Sequence, residues 1–90
     1  MSINHQLFMT RYHFNILDEN EQANAIWGKG VLIGERSDAF HKIRLYQVDS
    51  FYVEVYHHNH FNVITKMQSF SSTSKLQPYL ETICLDGLIS

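Results

Sequence analysis

The stretch HKIRLYQVDSFYVEVYHHNHFNVITKMQSF, from His41 to Phe70, decides how this chain folds. Apolar and polar residues alternate through His41–Gln47, Phe51–His57 and Phe61–Ser69. A period of two, carried by β-branched and aromatic side chains, marks strands half-buried on a core. The breaks Val48-Asp49-Ser50 and His58-Asn59-His60 separate three such strands. Register follows from the apolar pattern, because a slip of one residue turns every side chain to the other face. Leu45 opposite Val53 and Ile43 opposite Val55 match apolar with apolar. Val55 opposite Val63 and Phe51 opposite Met67 do the same across the second hairpin. Both choices predict three-residue loops. They place Leu45, Val53, Val55, Val63 and Met67 on one shared face.

Working outward, Val31 to Arg36 reads as a further strand ending in the turn Ser37-Asp38. Upstream, Asp18 can cap a helix, with Glu21 three places on to complete a capping box. Ala23, Ile26 and Trp27 follow at helical spacing, which predicts a short helix over Glu19–Trp27 closed by Gly28. Gln6 to Leu17 alternates again, with Phe8, Thr10, Tyr12, Phe14 and Ile16 on one side, and reads as the first strand. Beyond Phe70, Ser71 to Ser74 is a loop rich in capping residues. Leu76, Tyr79, Leu80 and Ile83 then form the stripe of an amphipathic helix with Pro78 near its first turn. Asp86-Gly87 ends it. The expected order is β-α-β-β-β-β-α. This is an α+β single domain over residues 1–90, with about five mostly antiparallel strands and helices packed on one face.

Bulk properties agree. Ninety residues that are 44% hydrophobic and 18% charged suffice for one core and sit far from the composition of disordered chains. Six phenylalanines, five tyrosines and a tryptophan favour strands. The lone Cys84 can form no internal disulfide and suits a reducing compartment. The first residues lack the features of a signal peptide, and no apolar run approaches the roughly 20 residues that cross a bilayer. A cytoplasmic location without membrane contact is therefore expected. A net charge of −2 offers no field to gather nucleic acid.

Six histidines invite a metal reading, since His57, His58 and His60 crowd one turn and His41 is expected opposite His57. Neutral imidazoles within mutual reach bind zinc, nickel or copper, so His41, His57 and His60 are the candidate ligands. Against this, adjacent strand residues point to opposite faces, and the spacing matches no structural zinc pattern. Solvated polar residues at a hairpin tip explain them as well.

The second candidate is the far side of the predicted meander, where Arg44, Tyr46, Tyr52, Glu54, Tyr56 and Lys66 project together with Ile64. Three readings compete for it. Helices cover it, or both faces are covered, and its tyrosines are ordinary core and rim residues. A second copy of the chain covers it, forming a homodimer. Or it stacks the bases of single-stranded nucleic acid, a reading that central Glu54 and the acidic balance disfavour.

Other motifs have plain structural explanations. Gly28-Lys29-Gly30 follows a helix instead of opening one and lacks the phosphate-loop frame. Asp18, Glu19 and Glu21 sit where a helix N-terminus favours negative charge. Ser71–Ser74 reads as capping, and Cys84 as a small buried hydrophobe. No motif argues for an enzyme, and no cofactor is expected.

The run DSFYVEVYHHNHFNVITKMQSFSSTSKLQPYL, Asp49 to Leu80, resembles a pattern in short bacterial proteins of unknown function. There a Tyr-, Val- and Glu-rich strand and a second strand precede a Ser-Phe-x-Ser-Thr segment and a Leu-x-Pro-Tyr-Leu helix. The resemblance implies a single domain and brings no activity or ligand with it. The expected function is a small protein-interaction module, partnered by itself or by another protein. The alternative is a metal- or small-ligand-binding domain, catalytic or not, on the three histidines.

Overall fold

The computed structural model describes residues 8–80. Four strands follow Gly30: β1 (Val31–Ser37), β2 (His41–Val48), β3 (Phe51–His58) and β4 (Ile64–Phe70). They form one antiparallel sheet in the order β1-β2-β3-β4. Two α-helices precede it, α1 (Arg11–Asn15) and α2 (Glu19–Lys29), and a 3-10 helix follows it over Thr73–Tyr79. The class is α+β, as the alternation predicts, with four strands instead of about five.

The missing strand is Gln6–Leu17. Thr10 accepts from the backbone N–H of His13 and starts α1 there, a local bond that helix offers and strand does not. The alternation was misleading because only Phe14 of that series is buried. Phe8, Tyr12 and Ile16 stay exposed. The predicted capping box of α2 is present, with Asp18 accepting from Glu21 N–H and Glu21 accepting from Asp18 N–H. The helix passes through Gly28 and ends at Gly30, whose N–H bonds Ile26 O at 2.7 Å. A side chain at Gly30 would lie 2.6 Å from that carbonyl and 3.3 Å from the Tyr46 ring, so the close passage from α2 into β1 requires glycine.

The three meander strands are present, but β4 starts at Ile64 instead of Phe61, leaving Val63 in the loop, and the register differs from the expected one. Val48 pairs with Phe51 across a two-residue turn, which sets Leu45 opposite Glu54, Ile43 opposite Tyr56 and His41 opposite His58. Asp49 makes the tighter turn with φ of 53°, a left-handed conformation that aspartate tolerates. Its carboxylate accepts from Met9 N–H at 2.6 Å and pairs with Lys29 at 3.5 Å. The turn thus anchors both the segment leading into α1 and the end of α2. In the second hairpin Val55 pairs with Met67 and Tyr52 with Phe70, a four-residue displacement from the expected pairing. The loop is correspondingly longer, and Asn62 within it has φ of 55°. Bulges lie between Leu32 and Gly34 and opposite Tyr56–His57.

Both faces are covered, not one. Phe14 and Ile26 pack on Val48, Phe51, Val53 and Val55. Tyr79 and Leu76, the first half of the predicted C-terminal stripe, pack on Leu45, Phe70, Ile33 and Tyr52 on the other side. Ile83 and Cys84 lie outside the described residues. Pro78 sits inside the 3-10 helix, and Ser72 caps it by accepting from Ser74 N–H.

Two stability changes follow. Asp49→Ala should cost about 2–3 kcal/mol in urea unfolding, through strain at positive φ and the lost bond to Met9. Asp49→Gly keeps the turn and should cost about 1 kcal/mol less. Gly28 is interior to α2 with open space where a side chain would stand. Gly28→Ala should therefore stabilise by about 0.5–1 kcal/mol.

Candidate functional site

Strand parity distributes the predicted interaction residues. Ile43, Leu45, Tyr52, Glu54 and Tyr56 share the face under the 3-10 helix, joined by Arg36 from β1 and Lys66 from β4. Arg44 and Tyr46 lie on the opposite face, beside Val53 and Val55. The six residues expected on one surface are therefore divided by the sheet itself, a direct consequence of the one-residue register difference. A continuous stacking platform across all of them does not exist.

On the 3-10 helix side, Glu54 occupies a central strand at 8% exposure. A buried carboxylate needs compensating partners, and two elements supply them. Arg36 Nη2 donates to Glu54 Oε2 at 3.1 Å, and the hydroxyl of fully buried Tyr79 donates to the same oxygen at 2.5 Å. Arg36 Nε donates in turn to the Tyr79 hydroxyl at 3.2 Å, and its Nη2 reaches Tyr56 at 3.4 Å. Lys66 lies 4.8 Å over the Tyr56 ring, and Tyr52 stacks on Phe70. Burial, then the bond to Glu54, push the Tyr79 phenol well above its usual range. For Arg36, burial opposes the charge, but the bonds to Tyr79 and Glu54 outweigh it and raise its pKa. Tyr56 and Tyr79 are tied into one polar network with Arg36 and Glu54, and Tyr52 packs as a rim residue on Phe70. The sequence offers Tyr79 only as part of a helical stripe and Arg36 only as a strand end, with no sign that they meet Glu54. The signal was Val53-Glu54-Val55, an acid between two apolar residues in a central strand.

The histidines do not converge. The His41 ring faces His58 at 5.6 Å, and its Nδ1 lies 3.2 Å from Asp38 Oδ1. Asp38 also accepts from Phe40 and His41 N–H, and the Phe40 bond foremost holds its carboxyl below the ordinary range. His58 Nδ1 accepts from the backbone of His60 and Phe61. His57 belongs to the other face and pairs with Lys42. Among the described residues no three metal-ligating side chains gather in one place.

Two depressions mark the α-helical side. One, about 430 Å³, runs along Met9, Leu17 and the Glu21–Lys29 side of α2 and is largely apolar. The other, about 220 Å³, is polar and lined by Lys42, Arg44, His57, His58, Asn59 and Asn62. Burial, then the charge of Arg44, hold the His57 imidazole below the usual histidine range.

Exposed apolar side chains among the described residues lie in three places: Phe8, Tyr12 and Ile16 around α1, Phe40, Phe61 and Val63 in the loops beside β2 and β4, and a group at the β1 edge. Trp27, Val31 and Leu32 are 54%, 61% and 51% exposed. Leu32 pairs with Tyr46, whose ring meets Trp27 edge-on at 5.8 Å. Among the described residues no helix is long and apolar enough to cross a membrane. No family model, curated protein or solved structure matches the chain.

The Tyr79 network predicts a pH signature. A phenol whose pKa is higher folded than unfolded contributes fully below the ordinary value of about 10, and that contribution is lost as pH rises through the folded pKa. Stability should therefore fall on the alkaline side, and one of the five tyrosines should ionise only on unfolding. In Tyr79→Phe, urea unfolding at neutral pH should show a loss of about 1–3 kcal/mol, and this alkaline component should disappear.

Proposed function

We propose that the protein is a small interaction module that self-associates along the outer edge of β1. The observation carrying this reading is the exposed run Val31-Leu32 on a terminal strand, continued sideways by Trp27 and Tyr46. A terminal strand presents unpaired backbone N–H and C=O groups and readily adds another strand. Natural sheets guard such edges with charge, and in β1 the charged residues, Glu35 and Arg36, are confined to the second half. β4 carries Lys66 and Gln68 along its length, with a bulge at its start. The first three residues of β1 are Val31, Leu32 and Ile33. The bulge after Leu32 limits pairing to the start of that strand.

Antiparallel addition of β1 to β1 of a second copy satisfies two-fold symmetry, since the same residues then meet on both sides. It would bring each Trp27–Leu32 surface against its counterpart, an aromatic and aliphatic patch of the composition found at interface centres. The tyrosine content contributes through Tyr46, the tyrosine next to this edge. The lone cysteine suits a reducing, cytoplasmic setting for such an assembly.

Light scattering at micromolar concentration tests this. The native chain should weigh twice 10.6 kDa, and Leu32→Lys, by placing a charge on the edge, should return it to one chain mass with its fold intact. A native protein that is strictly monomeric at these concentrations overturns the proposal.

A further inference from the structure

The helical cover on the Val53–Val55 face is uneven. Phe14 and Ile26 rest on the end of the sheet near Val48 and Phe51. At the opposite end the same face carries Lys42 and Arg44 on β2 and His57 on β3, with Lys42 directly opposite His57. The loop after β3 brings Asn59 and Asn62 to the same place, closing the cleft of about 220 Å³. Cations set side by side on a sheet repel one another unless something anionic lies between them.

Lys42, Arg44, Asn59 and Asn62 all carry side-chain donors toward this cleft, while His58 Nδ1 is already taken by the His60 and Phe61 amides. The Lys42 ammonium makes no hydrogen bond or ion pair with any described residue, and neither do the side-chain amides of Asn59 and Asn62. Arg44 is held through Nε by Glu35 at 2.9 Å, an exposed pair that orients the guanidinium without spending its terminal nitrogens. Glu35 offsets one positive charge and leaves that of Lys42. His57 Nδ1 is sealed from solvent without a hydrogen-bond partner. A buried N–H without an acceptor is rarer and costlier than an underused acceptor, so the proton belongs on Nε2. The more accessible side of the ring is then a neutral N–H donor.

The geometry points to a binding site for a small phosphate-bearing anion, a phosphate monoester or inorganic phosphate, held by Lys42 and Arg44 with Asn59, Asn62 and His57 as neutral donors. Arginine and lysine together supply the forked and the point-charge contacts that phosphate oxygens take. The volume lies below the roughly 300 Å³ at which pockets for drug-sized ligands begin. It therefore suits a phosphate head group with the remainder of a ligand outside. Metal binding is a different chemistry, and nothing here converges for it.

Nitrogen-15 amide spectra recorded during titration with inorganic phosphate and with phenyl phosphate, at constant ionic strength, test the assignment. Saturable shifts should cluster at Lys42, Arg44 and His57–Asn62, with dissociation constants of about 1 mM or tighter. Lys42→Gln should weaken binding about five-fold or more while the spectrum stays that of a folded chain. Arg44→Gln should do likewise, whereas Lys75→Gln, remote on the 3-10 helix, should change nothing. Shifts that fail to saturate, or that Lys42→Gln leaves unchanged, overturn the proposal. So does a single-stranded oligonucleotide that binds far more tightly and spreads its shifts beyond the cleft, since that marks a polyanion track instead.

Discussion

A strand residue can face only one side of a sheet, and the two-residue turn at Asp49-Ser50 settles which side for β2 and β3. Because Val48 meets Phe51 directly, odd positions of β2 share a face with even positions of β3. Arg44 and Tyr46 are thereby sent to the helical side, while Glu54 and Tyr56 go to the other. One residue more in the turn would reverse that assignment and bury a different set. The turn is itself held from outside the sheet, since the Asp49 carboxylate binds the Met9 amide and Lys29. The same aspartate that permits the reversal also fastens the helical layer over it.

Glu54 is the second consequence of that register. Opposite Leu45 and under Tyr79, its carboxylate lies in surroundings that would not accept it alone. Arg36 reaches it across β2 from the edge strand, and Tyr79 descends from the 3-10 helix. Three segments far apart in sequence thus meet on one oxygen. Such a cluster adds less net stability than an apolar replacement of the same shape can, yet removing one member leaves a buried charge unpaired. Its structural effect is to fix where the 3-10 helix docks, which apolar contact from Leu76 alone would specify loosely.

Much of the sheet was legible because strand alternation is a local property. The positions of β1 to β4 and the Asp18–Glu21 capping box could be read from residues no more than a few places apart. Register could not, because matching apolar to apolar assumes that no acid is buried. Here Leu45 faces Glu54, and Arg36 and Tyr79 make that pairing tolerable from a distance that no local window spans. The first segment failed for a related reason. Its period of two was real, but Thr10 offered a helical cap, and only Phe14 gained burial. The candidate site suffered most, since a one-residue shift rearranges every cross-strand neighbour. The histidines were noticed for their number, while the cleft depends on Lys42 and Asn62, which carry no motif.

The two sides of the sheet leave different surfaces unspent. Beneath the 3-10 helix the polar groups satisfy one another, and little is left over for a ligand. On the helical side, α1 and α2 cover Val48, Phe51, Val53 and Val55, and outside that cover lie an apolar edge at Leu32 beside Trp27 and a cationic cleft at Lys42 and Arg44. Glu35 connects these two regions, since it lies on β1 and holds Arg44 by one nitrogen. An exposed pair of this kind contributes less than about 1 kcal/mol, so it orients the guanidinium without neutralising the cleft. One cross-strand pair thus bridges the edge strand and the cleft.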